Sequence, residues 1–178
     1  MIYFGQEVGE PGAENAGFGS PTRTSIFDYI GVPHHQRWMN EGKFDGGKST
    51  LEEKNLRDFY KRLLNLAIKS EALMGAYQEI HEFNRGYTEW YNDKVFSFVR
   101  WNENEKLIIV SNFSSEETYG FDLGLPNDIV AKWELNEGSY QFKDQLHNNY
   151  KSTLNVNGND ARIRIDIKPL ESFILKLK

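Results

Sequence analysis

The most explicit chemical pattern lies in the first third of the chain. The stretch GKFDGGKS, Gly42 to Ser49, has the spacing of a phosphate-binding loop, and a helical pattern follows it. In that chemistry backbone N–H groups cradle phosphates, Lys48 reaches the outer phosphates and Ser49 ligates magnesium. The pattern needs a buried strand feeding the loop, and the polar HHQRWMNE before it cannot be one. Alternating βα units, which would bring a magnesium-binding aspartate, do not follow either. The stretch therefore reads as a polar approach to a helix. His34 and His35 raise a metal question, but adjacent residues share no face of a helix or strand. No His or carboxylate stands at a ligand-like offset from them, so no metal site is expected. With the isolated His81 and His147 they read as surface or packing side chains. Glu7 and Glu10 flank the first turn, where a carboxylate at a strand end can line a ligand cleft. Without a paired acid they support no acid–base assignment. Asn112-Phe113-Ser114 is a glycosylation triplet, meaningful only in a secretory pathway that glycosylates. Trp90, Tyr91, Trp101, Trp133, Tyr140 and Phe142 offer flat faces for sugar rings, although aromatic residues more often pack in cores and across strands.

Composition narrows what these residues can serve. The chain has 178 residues and a formal net charge of -5, enough for one ordinary domain or one domain with a piece of another. No basic stripe supports a nucleic-acid partner. The absence of cysteine excludes disulfides, thiol catalysis and Cys-ligated zinc. No stretch approaches the ~20 apolar residues of a membrane-spanning helix, and the first residues have neither the basic leader nor the length of a signal peptide. No membrane partner is expected.

The elements that must position the candidate residues fall into three zones. Residues 1–49 hold one apolar run, then a long loop punctuated by glycine and proline. Thr50 with Glu53 makes a capping box, after which Leu56, Phe59, Tyr60, Leu63, Leu64 and Ala67 recur at helical spacing. From about Ala76 the period becomes two. In RIRIDI, Ile163, Ile165 and Ile167 point one way and Arg162, Arg164 and Asp166 the other. VFSFVRW, KLIIVSNF, TYGFDLGL, IVAKWEL and SFILKL are further strand candidates between turn-rich pieces. Short, regularly spaced strands with no helix between them predict an antiparallel sandwich or barrel. The switch from helix to strand near residues 70–75 marks the expected boundary.

Several stretches together resemble the α-amylase family of glycoside hydrolases. IYFGQEVG resembles that family's final barrel strand, commonly I-Y-Y-G-Q-E. TRTSIFDY is similar to the stretch that follows, R-T-P-M-x-W-D in related α-glucosidases, with Ser25 in place of the proline. LRDFYKRLLNLAIKSEAL resembles the closing barrel helix. VFSFVRWNENEKLIIVSNFS and IKPLESFILKL resemble the first hairpin and last strand of the C-terminal β-sandwich.

The resemblance implies a mainly β chain, with a C-terminal antiparallel β-sandwich preceded by the truncated last βα unit of a (β/α)8 barrel. Residues 1–72 are then the barrel remnant and residues 73–178 the sandwich. Met1 to Glu7 becomes the eighth barrel strand, apolar all round because such strands are packed on both faces. The family's catalytic carboxylates are expected upstream of residue 1, so no residue here takes a catalytic role. Gln6, Glu7 and Arg23 are the implied substrate-side residues, since the loops after barrel strands build the active face. The parent enzyme is expected to act on α-glucosidic bonds with retention. Its partners are an α-glucan and the missing N-terminal barrel part of the same chain. No cofactor is implied in this piece, and calcium is allowed in the parent. The alternative is a free-standing carbohydrate-binding or structural β-sandwich module.

Overall fold

In the computed structural model, which describes residues 2–11, 32–147 and 150–178, the capping pair expected at Thr50 and Glu53 forms in both directions. The Thr50 N–H donates to Glu53 Oε2 at 3.0 Å, and the Glu53 N–H donates to Thr50 Oγ1 at 3.2 Å. These bonds satisfy two of the donors a helix start leaves open. A short helix α1, Pro33–Met39, precedes the long helix α2, Leu51–Lys69. The sequence reading treated α1 as loop. Its proline sits in the first turn, where a missing N–H costs nothing, and it stops at Asn40, which adopts a left-handed φ of 45°. The apolar stripe of α2 is at most half-buried, with Leu64 44% and Ile68 84% exposed; Glu53 is the buried residue of that helix.

The segment read as a barrel strand takes another course. Residues 2–7 belong to no strand, and Gln6–Val8 form a 3-10 turn. A strand needs partners for its row of N–H and C=O groups. Here the backbone closes on itself instead: Gln6 N–H to Tyr3 O at 3.1 Å, Val8 N–H to Gly5 O at 3.2 Å, and Glu10 N–H to Gly5 O at 2.9 Å. Gly5 makes this possible with a φ of 76°, a conformation that suits glycine.

The chain divides into two compact units, Met1–Asn65 and Leu66–Lys178. The second is mainly β. Its strands are β1, Ala76–Glu79; β2, Val95–Trp101; β3, Lys106–Asn112; β4, Tyr119–Gly124; β5, Gly138–Asp144; β6, Lys151–Asn157; β7, Asp160–Ile167; and β8, Ser172–Leu177. They form one antiparallel sheet in the order β1-β2-β3-β8-β5-β6-β7-β4. The sheet curls so that one face of its first half and one face of its second half share a core. Val99, Ile108 and Val110 lie in the same buried cluster as Phe121, Leu154, Ile163 and Ile165. The alternation read in RIRIDI is realised: Ile163, Ile165 and Ile167 are fully buried while Arg164 and Asp166 face solvent.

Two short helices interrupt the strands: α3, His81–Tyr87, and α4, Asn127–Lys132. The second corrects the reading of IVAKWEL as a strand. Pro126 opens that helix, and Ile129 and Trp133, four residues apart, fall on one buried side.

A buried carboxylate holds the entry to the sheet. Glu105 is 7% exposed. It accepts from Ser70 Oγ at 2.6 Å and from the Ala72 N–H at 2.9 Å, and it pairs with Lys176 Nζ at 2.7 Å. Arg100 on β2 donates to the carbonyls of Ala72, Leu73 and Gly75 in the same turn. At Gly75 a side chain is sterically excluded, because a Cβ would stand 2.1 Å from the Trp101 carbonyl oxygen. Burial alone would raise the Glu105 pKa. Lys176, the Ser70 hydroxyl and the Ala72 N–H outweigh it and hold the carboxyl below its ordinary 4.5. A carboxylate with a depressed folded-state pKa stabilises above its unfolded value and loses that contribution as pH falls through the folded one. Glu105→Gln is therefore expected to lower stability by about 1–3 kcal/mol at pH 7. The gap to wild type should narrow as pH drops below 4.5, read from denaturant melts across pH. A gap that is constant with pH would refute the ionised role.

Candidate functional site

The chemistry-bearing residues of the first unit meet where its first turn lies against α1 and the start of α2. Gln6 is exposed, and its Oε1 accepts from the Tyr3 N–H at 3.0 Å. Glu7 is half-buried and lines a cavity of about 470 Å³ together with Arg57, Asp58, Tyr60 and Lys61. Arg23 lies outside the described residues. Of the three substrate-side residues expected from sequence, two are thus placed on one short turn.

Sequence reasoning named His34, His35 and Glu53 without connecting them to this turn, and it missed Arg37. His34 Nδ1–H donates to the Val8 carbonyl at 3.0 Å and lies 3.3 Å from Glu53 Oε1. The His35 N–H donates to Glu10 Oε2 at 2.9 Å, and the His35 ring stacks on Phe4 with centroids 4.6 Å apart. The two histidines therefore act separately, one through its ring nitrogen and one through its backbone and ring face. Glu53 collects the charge: Arg37 Nε donates to its Oε1 at 3.0 Å, and the Arg37 Nη2 joins the same oxygen. This bond to Arg37 holds the Glu53 carboxyl below the usual range, against burial and with help from the Thr50 N–H. The capping box thus has a second duty that its four-residue signature did not disclose. Arg57 completes the cluster by laying its guanidinium 4.4 Å above the Trp38 ring. Among the described residues no group of His, Asp and Glu is arranged to hold a metal.

The phosphate-loop spacing leads to no phosphate cradle. The N–H groups of Gly46, Gly47 and Ser49 are already bound to Trp38 O, Asp45 Oδ1 and Gly46 O. Lys48 pairs with Glu41, and a helix stands where the motif needs a strand. The glycosylation triplet is closed as well. Asn112 is 2% exposed, and its amide donates to the carbonyls of Glu117 and Lys168. The aromatic residues divide: Trp133 and Phe142 belong to the core, Tyr91, Trp101 and Tyr140 pack against it, and Trp90 stands in solvent.

Comparison with known proteins adds the following. The family profile described as "Alpha amylase, C-terminal all-beta domain" matches residues 90–178, half of the chain. The 1,4-alpha-glucan branching enzyme GlgB of Francisella tularensis subsp. mediasiatica is 23% identical over 99% of this chain. The enzyme of the same name from Francisella philomiragia is 25% identical, again over 99%. The chain spans 27% of the length of these relatives. Among solved structures, AmyP crystallised with maltose is 15% identical with a TM-score of 0.47, covering 75% of this chain and 23% of that one. Glu53→Ala removes a cap and frees both Arg37 and His34. It is expected to cost about 1–2 kcal/mol locally and to speed amide exchange through Pro33–Met39. Unchanged exchange there would contradict the role given to Glu53.

Proposed function

Because the chain belongs to the family of alpha-amylase C-terminal all-beta domains, we propose that it is the C-terminal part of an α-glucan-acting enzyme. In this reading residues 1–72 are the end of a catalytic barrel and residues 73–178 the sandwich that follows it. The longer enzyme breaks α-glucosidic bonds with retention. One carboxylate forms a covalent glycosyl intermediate, while a second protonates the leaving oxygen and then activates the acceptor. The acceptor is water or the hydroxyl of another glucan. Neither carboxylate is assigned to this chain, and its partner for catalysis is the remaining barrel.

The observation that carries the reading is the extent of the likeness to the branching enzymes. It runs over 99% of the chain and so includes the helical first unit as well as the sheet. A free-standing sugar-binding module has no use for that unit. The turn at residues 2–7 fits as well. Neighbouring barrel strands would supply the backbone partners which the turn bonds replace here. Gln6 and Glu7 then belong to the substrate end of the last barrel strand, where barrel enzymes place their loops, and Arg23 keeps the substrate-side role that the resemblance implies. No metal or cofactor is assigned to the chain, and calcium in the longer enzyme stays part of the proposal.

The experiment has two arms. The 178-residue chain incubated with amylose or soluble starch should release no reducing ends and leave the iodine absorbance unchanged. Activity of the chain alone would overturn the assignment of catalysis elsewhere. The longer polypeptide should release product first in the α-anomeric form, followed by proton NMR. A β-anomer appearing first would refute retention.

A further inference from the structure

Trp90 combines two unfavourable features. It is 76% exposed, and its φ of 66° places a bulky residue in the left-handed region. Neither follows from a loose loop, because the turn that carries Trp90 is fixed on both sides. Before it, the Thr88 N–H and hydroxyl bind Asn84 O and Oδ1 at 2.9 and 2.6 Å, and Asn84 is fully buried. After it, Tyr91 sets its ring edge-on to buried Phe121 at 5.1 Å and its hydroxyl 2.8 Å from Ser97 Oγ. The turn that presents this exposed indole is therefore anchored on both sides. A second aromatic, Tyr87, is 71% exposed and lines the same cavity of about 460 Å³, a volume within the ~300–1,000 Å³ of small-ligand sites.

The polar rim identifies the ligand class. Glu89 and Asp122 face Arg162 and Arg164 around the cavity. Both arginines are committed, Arg162 to Asp160 and Arg164 to Asp166, which leaves no open cation for a phosphate or an acidic peptide. Glu89 has no hydrogen-bond or ion-pair partner among the described residues. Flat apolar faces beside mixed donors and acceptors, with no open cation, suit a neutral polyhydroxyl chain, whose ring faces stack and whose hydroxyls bond at the rim. We propose that the cavity between Trp90 and Tyr87 is a surface site that holds a stretch of α-glucan. The α-linkage rests on the function proposed above; the site itself rests on the geometry of the second unit.

The test uses the whole chain in native gels cast with amylopectin or with a β-linked glucan. Wild type should be retarded by amylopectin and not by the β-glucan. Trp90→Ala should weaken the apparent affinity at least fivefold, Tyr87→Ala less, and Trp90→Phe should restore most of it. Because Trp90 lies outside the core, its variants should keep the wild-type melting temperature, measured in parallel. Equal retardation of wild type and Trp90→Ala overturns the site and leaves the family unaffected. Retardation by the β-glucan alone, lost in Trp90→Ala, overturns the α-glucan assignment and leaves the function proposed above to its own experiment. No retardation of wild type in either gel overturns the site as well.

Discussion

A strand survives in a protein interior only where other strands or side chains complete its backbone hydrogen bonds, and this requirement shapes both units of the chain. In Leu66–Lys178 it is met internally. Each of the eight strands pairs with at least one neighbour, and β8 lies between β3 and β5, joining the two halves of the sheet. The apolar opening of the first unit has the composition of a doubly packed strand and no strand beside it among the described residues. It therefore turns at Gly5 and spends its N–H groups on its own carbonyls. One chain thus shows both outcomes of the same rule.

Where the sheet leaves backbone groups unpaired, buried polar side chains take over, each at a joint between elements. Glu105 receives the Ala72 N–H at the entry to β1. Asn84 bonds both the N–H and the carbonyl of Gly124, tying α3 to the end of β4. Asn112 closes the turn after β3 onto Lys168, and Asp144 accepts the Ile174 N–H beside β8. Such groups are costly when left unpaired in a core, and these four side chains are all hydrogen-bonded. They fix where the loops leave the sheet, and so they set the position of anything those loops present.

The features legible in the sequence were those with a local cause. The capping box at Thr50 and the alternation of Ile163, Ile165 and Ile167 depend on residues within one or two turns, and both appear as read. The bounds of β2 and β8 coincide with VFSFVRW and SFILKL for the same reason. Short helices were missed because six or seven residues are too few for an apolar stripe to declare itself; α4 was read as a strand on the strength of Ile129, Val130 and Trp133. Strands β5 and β6 were passed over because their outward residues, such as Gln141, Lys151 and Asn155, are polar enough to resemble loop. In the candidate site the family letters singled out Gln6 and Glu7 but implied a strand where the chain forms a turn. The network of His34, Arg37 and Glu53 was not, since its members are brought together by folding across 19 positions of sequence that no local pattern connects.

The aromatic residues divide between packing and the proposed binding surface. Phe121, Trp133 and Phe142 are buried, and their area is a main contribution to the core. Trp90 contributes little there and carries a backbone strain of about 1–3 kcal/mol. Packing does not account for that cost, whereas the proposed glucan site gives the exposure a use. That turn sits on α3 and the loop after it, outside the sheet pairing, so its side chains can change without disturbing the strands. Packing fixes the platform through Asn84, Thr88 and Tyr91, and the platform leaves Trp90 free to meet a ligand. Scaffold and binding surface are thus separable in this unit by a single test, whether a side chain's removal moves the melting temperature.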